Sequence, residues 1–152
     1  MTWLTAGTGL LLLAAAAVLV RRRWTVVRVR GDSMEPALHD GAVLLARRWT
    51  GRPPHRGDIV VLRRPPVVAV PPGATLVHSA PGAPPRAGEG WLIKRVVAVP
   101  GDPVPPGVPN TAPGPVPQGT VIVYGERPGL DSRLFGPAPI GTIHATVVRA
   151  LR

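Results

Sequence analysis

The sequence predicts a mainly β domain with Pro/Gly-rich loops, preceded by one N-terminal transmembrane helix. Three observations carry that reading: an uncharged apolar run near the N-terminus, six short β-branched runs after it, and clusters of Pro and Gly that separate the runs. At 152 residues there is room for one domain of ordinary size plus an anchor, and none for a second core. The expected boundaries are 1–24 for the anchor with its flanks and 25–152 for the domain.

The anchor is read first. Leu4 to Val20 holds 17 residues without a charge, at the short end of the ~17–25 that span a bilayer, and Trp3 and Trp24 flank it as interfacial residues do. A cleavable leader is the competing reading. No basic segment precedes the run, however, and three Arg follow where a small-residue cleavage site would be expected. A retained, single-pass helix in the plasma membrane is therefore expected. Arg21, Arg22, Arg23, Arg28 and Arg30 all lie on its C-terminal side, a charge distribution that favours a cytoplasmic domain. Arg21 to Arg23 can also meet anionic headgroups, at about 1 kcal/mol each.

The β-branched runs come next: TVVRVR (25–30), AVLLARR (42–48), DIVVLRR (58–64), WLIKRVVAV (91–99), TVIVY (120–124) and TIHATVVRAL (142–151). Their length and composition read as strands. Between them, breaker clusters exclude helix and interior strand. Two of these stretches, 65–90 and 100–117, are expected to be long, mobile surface loops.

Composition narrows the chemistry. Cys is absent, so thiolate nucleophiles, disulfides and Cys-based zinc sites are excluded. His39, His55, His78 and His144 show no ligand spacing, so no metal and no cofactor are expected. The net charge of +10 would suit a nucleic-acid binder, but only six aromatics exist and two are assigned to the anchor, which leaves little for base stacking. No nucleic-acid partner is expected, and the domain is expected to be a monomer.

Of the 18 basic residues, 17 are Arg and one is Lys94. An Arg stays protonated in proteins, whereas a desolvated ammonium can lose its proton, so a lone Lys points to a required base. In the run around it, alternation places Leu92, Lys94 and Val96 on one face and Trp91, Ile93, Arg95 and Val97 on the other. Lys94 then shares an aliphatic face, whose desolvation lowers its pKa. The partner is sought in Gly31-Asp32-Ser33-Met34-Glu35-Pro36-Ala37-Leu38, a turn after the first strand that exposes a hydroxyl. A neutral amine near Ser33 could take its proton, the logic of an activated serine with Lys in place of His.

These segments resemble the type I signal peptidases, the Ser/Lys endopeptidases that remove signal peptides from exported proteins. Four stretches in order carry the resemblance. They are Ser33 to Leu38, Gly57-Asp58-Ile59-Val60-Val61, Ile93 to Val97 running on to Pro100-Gly101-Asp102, and Asp131-Ser132-Arg133 with Phe135-Gly136-Pro137. The resemblance implies a signal-peptidase-type β-domain that binds precursor proteins as an added extended strand and cuts at small residues. Ser33 and Lys94 would be catalytic, and the domain would lie outside the cytoplasm, against the Arg distribution. The backbone around Gly31, Ser33 and Met34 would form the oxyanion and substrate-binding region, with Asp131, Ser132 and Arg133 in support.

Two departures fall in the last motif, Gly125-Glu126-Arg127-Pro128-Gly129-Leu130-Asp131-Ser132-Arg133. The loop is about two residues shorter than the family's usual G-D-N, spacer, S-x-D-S-R. Gly129 also stands where the family carries a Ser that hydrogen-bonds the amine, so a water, or Ser132, is expected to take that role. The alternatives are a maturation peptidase for a single precursor and a catalytically impaired membrane homologue. Self-cleaving repressors use the same dyad, but the anchor occupies the place of their DNA-binding helices.

Overall fold

A computed structural model describes residues 17–64 and 90–151. Most of the expected anchor, and all but Gly90 of the expected 65–90 loop, lie outside those residues. Residues 17–23 are helical, with Val18, Leu19 and Val20 each more than half exposed. No helix among the described residues is long and apolar enough to cross a membrane.

All six expected strands form, with no end shifted by more than two residues. They are β1 (Trp24–Arg28), β2 (Val43–Arg48), β3 (Ile59–Arg63), β4 (Trp91–Ala98) and β5 (Thr120–Tyr124), then, after a two-residue β6 (Ala138–Pro139), β7 (Ile143–Ala150). Trp24 opens β1 opposite Arg47 instead of ending the anchor. Sequence patterning missed β6 and a single helical turn at Ser132–Phe135 because neither is long enough to repeat a hydrophobic period.

The strands form one sheet in the order β1-β2-β7-β3-β4-β5-β6, every pair antiparallel. Register shifts interrupt the β2–β7, β3–β7 and β4–β5 ladders, and such bulges bend and twist the strands that carry them. The sheet curls as a result. Although β2, β7 and β3 lie between β1 and β4 in the order, residues of β1 and β4 line one cleft.

Curling also explains why β3 and β5 do not alternate. Val60, Val61 and Leu62 are all buried, as are Val121, Ile122 and Val123, so these strands have apolar packing on both faces. One face meets Val96, Phe135 and Ile143, and the other meets separate clusters around Ala46 and Ala145 or around Ala98 and Val116. Full burial of each Val, Leu or Ile stabilises by roughly 1.5–3 kcal/mol.

The 100–117 stretch is not the mobile excursion expected of its composition. Val104 N–H donates to Gly114 C=O at 2.9 Å and Val116 N–H to Asp102 C=O at 2.7 Å, and Pro103 bridges Pro115. Val108 and Val116 are buried against Ala98 and Ile122. Proline denies this flap a regular ladder, but its carbonyls still accept, and the interspersed Val side chains supply the apolar contact that ties it to the sheet.

Candidate active site

Lys94 sits in the middle of β4, opposite Val60 of β3. The alternation along β4 is as expected, with Lys94, Val96 and Ala98 buried and Trp91 exposed. The Lys94 side chain is 2% exposed. Burial lowers its pKa below the usual ammonium value; the Asp131 carboxylate opposes that shift and the Arg133 guanidinium adds to it.

Ser33 reaches this amine from a loop. After β1, Gly31 turns the chain with a φ of 86°, a left-handed conformation that suits glycine. Glu35 N–H closes on Asp32 C=O at 3.0 Å and Leu38 N–H on Met34 C=O at 2.8 Å. Met34, 1% exposed, packs among Val29, Leu38 and Leu44 and anchors the turn in the core. The Lys94 Nζ then lies 3.1 Å from the Ser33 Oγ. A protonated amine donates across that distance; a neutral one can accept the hydroxyl proton.

The Gly31 N–H donates to Asp40 Oδ1 at 2.7 Å, a bond that holds the loop. The Ser33 N–H has no acceptor among the described residues.

The third segment approaches Lys94 through Gly125. Asp131 is fully buried, and its carboxylate accepts from Gly125 N–H at 3.0 Å, from Arg133 N–H at 2.9 Å and from the Arg133 guanidinium at 2.6 Å. Burial alone would raise its pKa, but the Arg133 side chain and the two backbone donors outweigh it and hold the carboxyl below the usual range. Arg133 Nη2 also donates to Gly125 C=O at 3.0 Å. The ion pair thereby grips Gly125 by both its N–H and its C=O.

That grip corrects the expectation about Gly129. A Cβ on Gly129 would meet nothing within 4 Å, whereas a Cβ on Gly125 would stand 3.1 Å from Lys94 Nζ and 2.8 Å from the carbonyl oxygens of Ser33 and Arg127. The glycine against the amine is Gly125. Ser132 Oγ accepts from the buried Val123 N–H at 3.0 Å and holds the helical turn to β5.

Sequence reasoning also passed over Arg127 and His144. Arg127 donates to Asp32 and Glu35, on either side of Ser33, at 2.6 and 2.9 Å. His144 of β7 lies against Trp91, ring centroids 4.9 Å apart, at the edge of the cleft. Neither carries a local signal, since each acts on residues distant in sequence.

An open cleft of about 470 Å³ leads to the pair. Residues 25–30 and 91–94 form its walls, and Ser33, Met34, Val61 and His144 complete it. Its walls combine strand backbone and aliphatic side chains such as Val27, Leu92 and Ile93 with Arg28, Arg30 and Trp91, and exposed strand backbone suits an extended peptide. The described residues contain no cluster of groups that could hold a metal.

Known proteins resemble this chain in sequence. The family model described as "Signal peptidase, peptidase S26" matches residues 2–107, a span that includes Ser33 and Lys94. Mitochondrial ATP-independent inner membrane protease subunit 1b of Arabidopsis thaliana is 39% identical over 123 residues, 78% of this chain and 64% of that protein. Mitochondrial inner membrane protease subunit 2 of Mus musculus is 32% identical over 145 residues, 90% of this chain and 71% of that protein. The chain thus spans about two thirds of the length of these relatives. With the family match covering most of its residues, the chain belongs to the signal peptidase family, peptidase S26.

Proposed function

We propose that this chain is a membrane-associated serine endopeptidase that removes signal or leader peptides from precursor proteins, with Ser33 as nucleophile and Lys94 as general base. The observation that carries the reading is the 3.1 Å contact between Ser33 Oγ and an amine whose side chain is almost wholly buried. Desolvation keeps a fraction of that amine neutral at a pH where an exposed Lys would be fully charged.

The chemistry follows from the geometry. A precursor segment lies extended in the cleft between β1 and β4, its backbone pairing with a strand edge. Neutral Lys94 takes the Ser33 proton as Oγ attacks the scissile carbonyl, and the developing oxyanion accepts from the Ser33 N–H. The Lys94 ammonium then protonates the leaving amine, which departs and leaves an acyl-enzyme. Water, deprotonated by the regenerated amine, releases the acyl group and restores Ser33. Because Gly31 has no hydroxyl and its N–H is taken, the oxyanion depends on backbone at Ser33.

Preference for small residues and action at a membrane rest on the family and on the uncharged run Leu4 to Val20, which would anchor the domain beginning at Trp24. The matched relatives are named as inner membrane proteases. A single dedicated precursor is the second reading, favoured by the shortened 125–131 loop.

Incubation of the purified full chain with a panel of secretory precursors tests both readings. Ser33→Ala and Lys94→Ala are each expected to cut at less than roughly 10⁻⁴ of the wild-type rate. Cleavage persisting in either variant would sink the dyad, and processing of one precursor alone would select the dedicated reading.

A further inference from the structure

Catalysis by a Ser33–Lys94 pair requires that a loop residue be held on a strand residue to within a fraction of an ångström. Lys94 is fixed by β4 and its burial, but Ser33 sits in an irregular turn whose neighbours Gly31, Asp32 and Pro36 are exposed. Met34 anchors one side of that turn. Something must hold the other.

We propose that Arg127 is a positioning residue for the nucleophile, clamping the Ser33 loop onto the Lys94 strand. Three bonds converge from this one residue. Its N–H donates to the Ser33 C=O at 3.1 Å, its Nη1 to Asp32 Oδ2 at 2.6 Å and its Nη2 to Glu35 Oε2 at 2.9 Å. The two carboxylates straddle Ser33, so the planar guanidinium fork spans the nucleophile from both sides, a geometry that a Lys point charge cannot reproduce.

Arg127 is itself tied to the base. It lies two residues after Gly125, which packs against the Lys94 amine and is gripped by Asp131 and Arg133. One short loop therefore touches both members of the pair. Within that loop Gly129 stands away from the amine, and Arg127 lies over the Ser33 turn.

Exposure decides how the clamp shows itself. The side chains of Arg127 and Asp32 are 52% and 70% exposed, so these pairs add little to folding stability. The reacting contact is far more sensitive, because a displacement of about 1 Å can cost on the order of a hundredfold in rate.

The inference rests on the dyad reading, and the experiment separates the two. Steady-state cleavage of a peptide spanning a signal-peptide cleavage site is measured with the full chain in detergent. Arg127→Ala is expected to lower kcat roughly ten- to a hundredfold with KM and Tm nearly unchanged, and Arg127→Lys to restore part of the loss. Raising ionic strength to about 1 M, where screening acts over ~3 Å, is expected to depress wild-type kcat but not that of Arg127→Ala. A combined Asp32→Asn and Glu35→Gln variant should reproduce the loss, and adding Arg127→Ala to it should cost nothing more. That carboxylate variant also measures the coupling if Arg127→Ala does not fold. An unchanged kcat, a loss confined to KM, or full additivity would overturn the clamp. If Ser33→Ala abolishes cleavage while Arg127→Ala keeps kcat, only the clamp fails; cleavage by Ser33→Ala removes the dyad beneath it.

Discussion

Ser33 and Lys94 are 3.1 Å apart, yet the chain holds them by opposite means. Lys94 belongs to an eight-residue strand with neighbours on both sides, β3 and β5, and is almost wholly buried. Ser33 belongs to a turn tied down by a buried Met on one side and exposed ion pairs on the other. The difference fits the roles proposed for them. A base with a lowered pKa would need to be dry, as the core keeps Lys94. A nucleophile would have to meet a peptide arriving from solvent, as Ser33 at the surface could. Between the two lies Gly125, the only residue whose added Cβ would press on both Lys94 and Ser33 among the described glycines.

The sharpest way to break this arrangement is therefore at Gly125. Two of the three nearest atoms to a new Cβ are backbone carbonyl oxygens at 2.8 Å, which cannot swing aside. Gly125→Ala is expected to lose about a hundredfold or more in kcat and about 1–3 kcal/mol in stability by overpacking, read by cleavage assay and denaturant unfolding. A fully active, stable variant would show that Gly125 does not set the spacing.

A smaller effect tests the dry side alone. Lys94→Met keeps the volume and removes the charge, so it is expected to be inactive yet more stable at neutral pH by about 1 kcal/mol. The sign follows from the lowered pKa. Between the folded pKa and 10.5 the unfolded chain binds more protons at this site than the folded one, so wild-type stability rises with pH across that window. Lys94→Met should lack that rise. The cleavage rate of the wild type should climb with pH through the same folded pKa as the neutral base accumulates. Unfolding curves of equal slope against pH in the two proteins would contradict the burial argument.

The smallest effect is expected at Gly129. Because a side chain there meets nothing within 4 Å, Gly129→Ser should leave kcat within about twofold of wild type, and the clamp at Arg127 untouched. A marked gain would mean that the 125–131 loop moves its residue 129 onto the amine during turnover.

Much of this molecule was legible from residue order. Six β-branched runs became strands because alternation and propensity are local properties that each run carries by itself, and the burial of Lys94 followed from its place between Leu92 and Val96. The Ser33 turn was readable through motif spacing. Where local signals were weak, the reading erred. In 100–117, Pro and Gly concealed a folded flap because its stability comes from Val108 and Val116 meeting Ala98 and Ile122, a contact that composition does not display. Gly129 was aligned by counting from Asp131, but spacing along the chain does not say which glycine the fold sets against the amine, and that glycine is Gly125.

The sequence alone determined the strands, the breakers between them, the single Lys and the face on which it lies, since each depends on neighbours within a few residues. Tertiary structure decided which glycine meets the amine, that Arg127 spans the nucleophile across more than ninety residues of chain, and that β1 and β4 share one cleft. Those contacts exist because bulges curl the sheet until distant segments meet, and the cumulative bend of a sheet is written in no single strand.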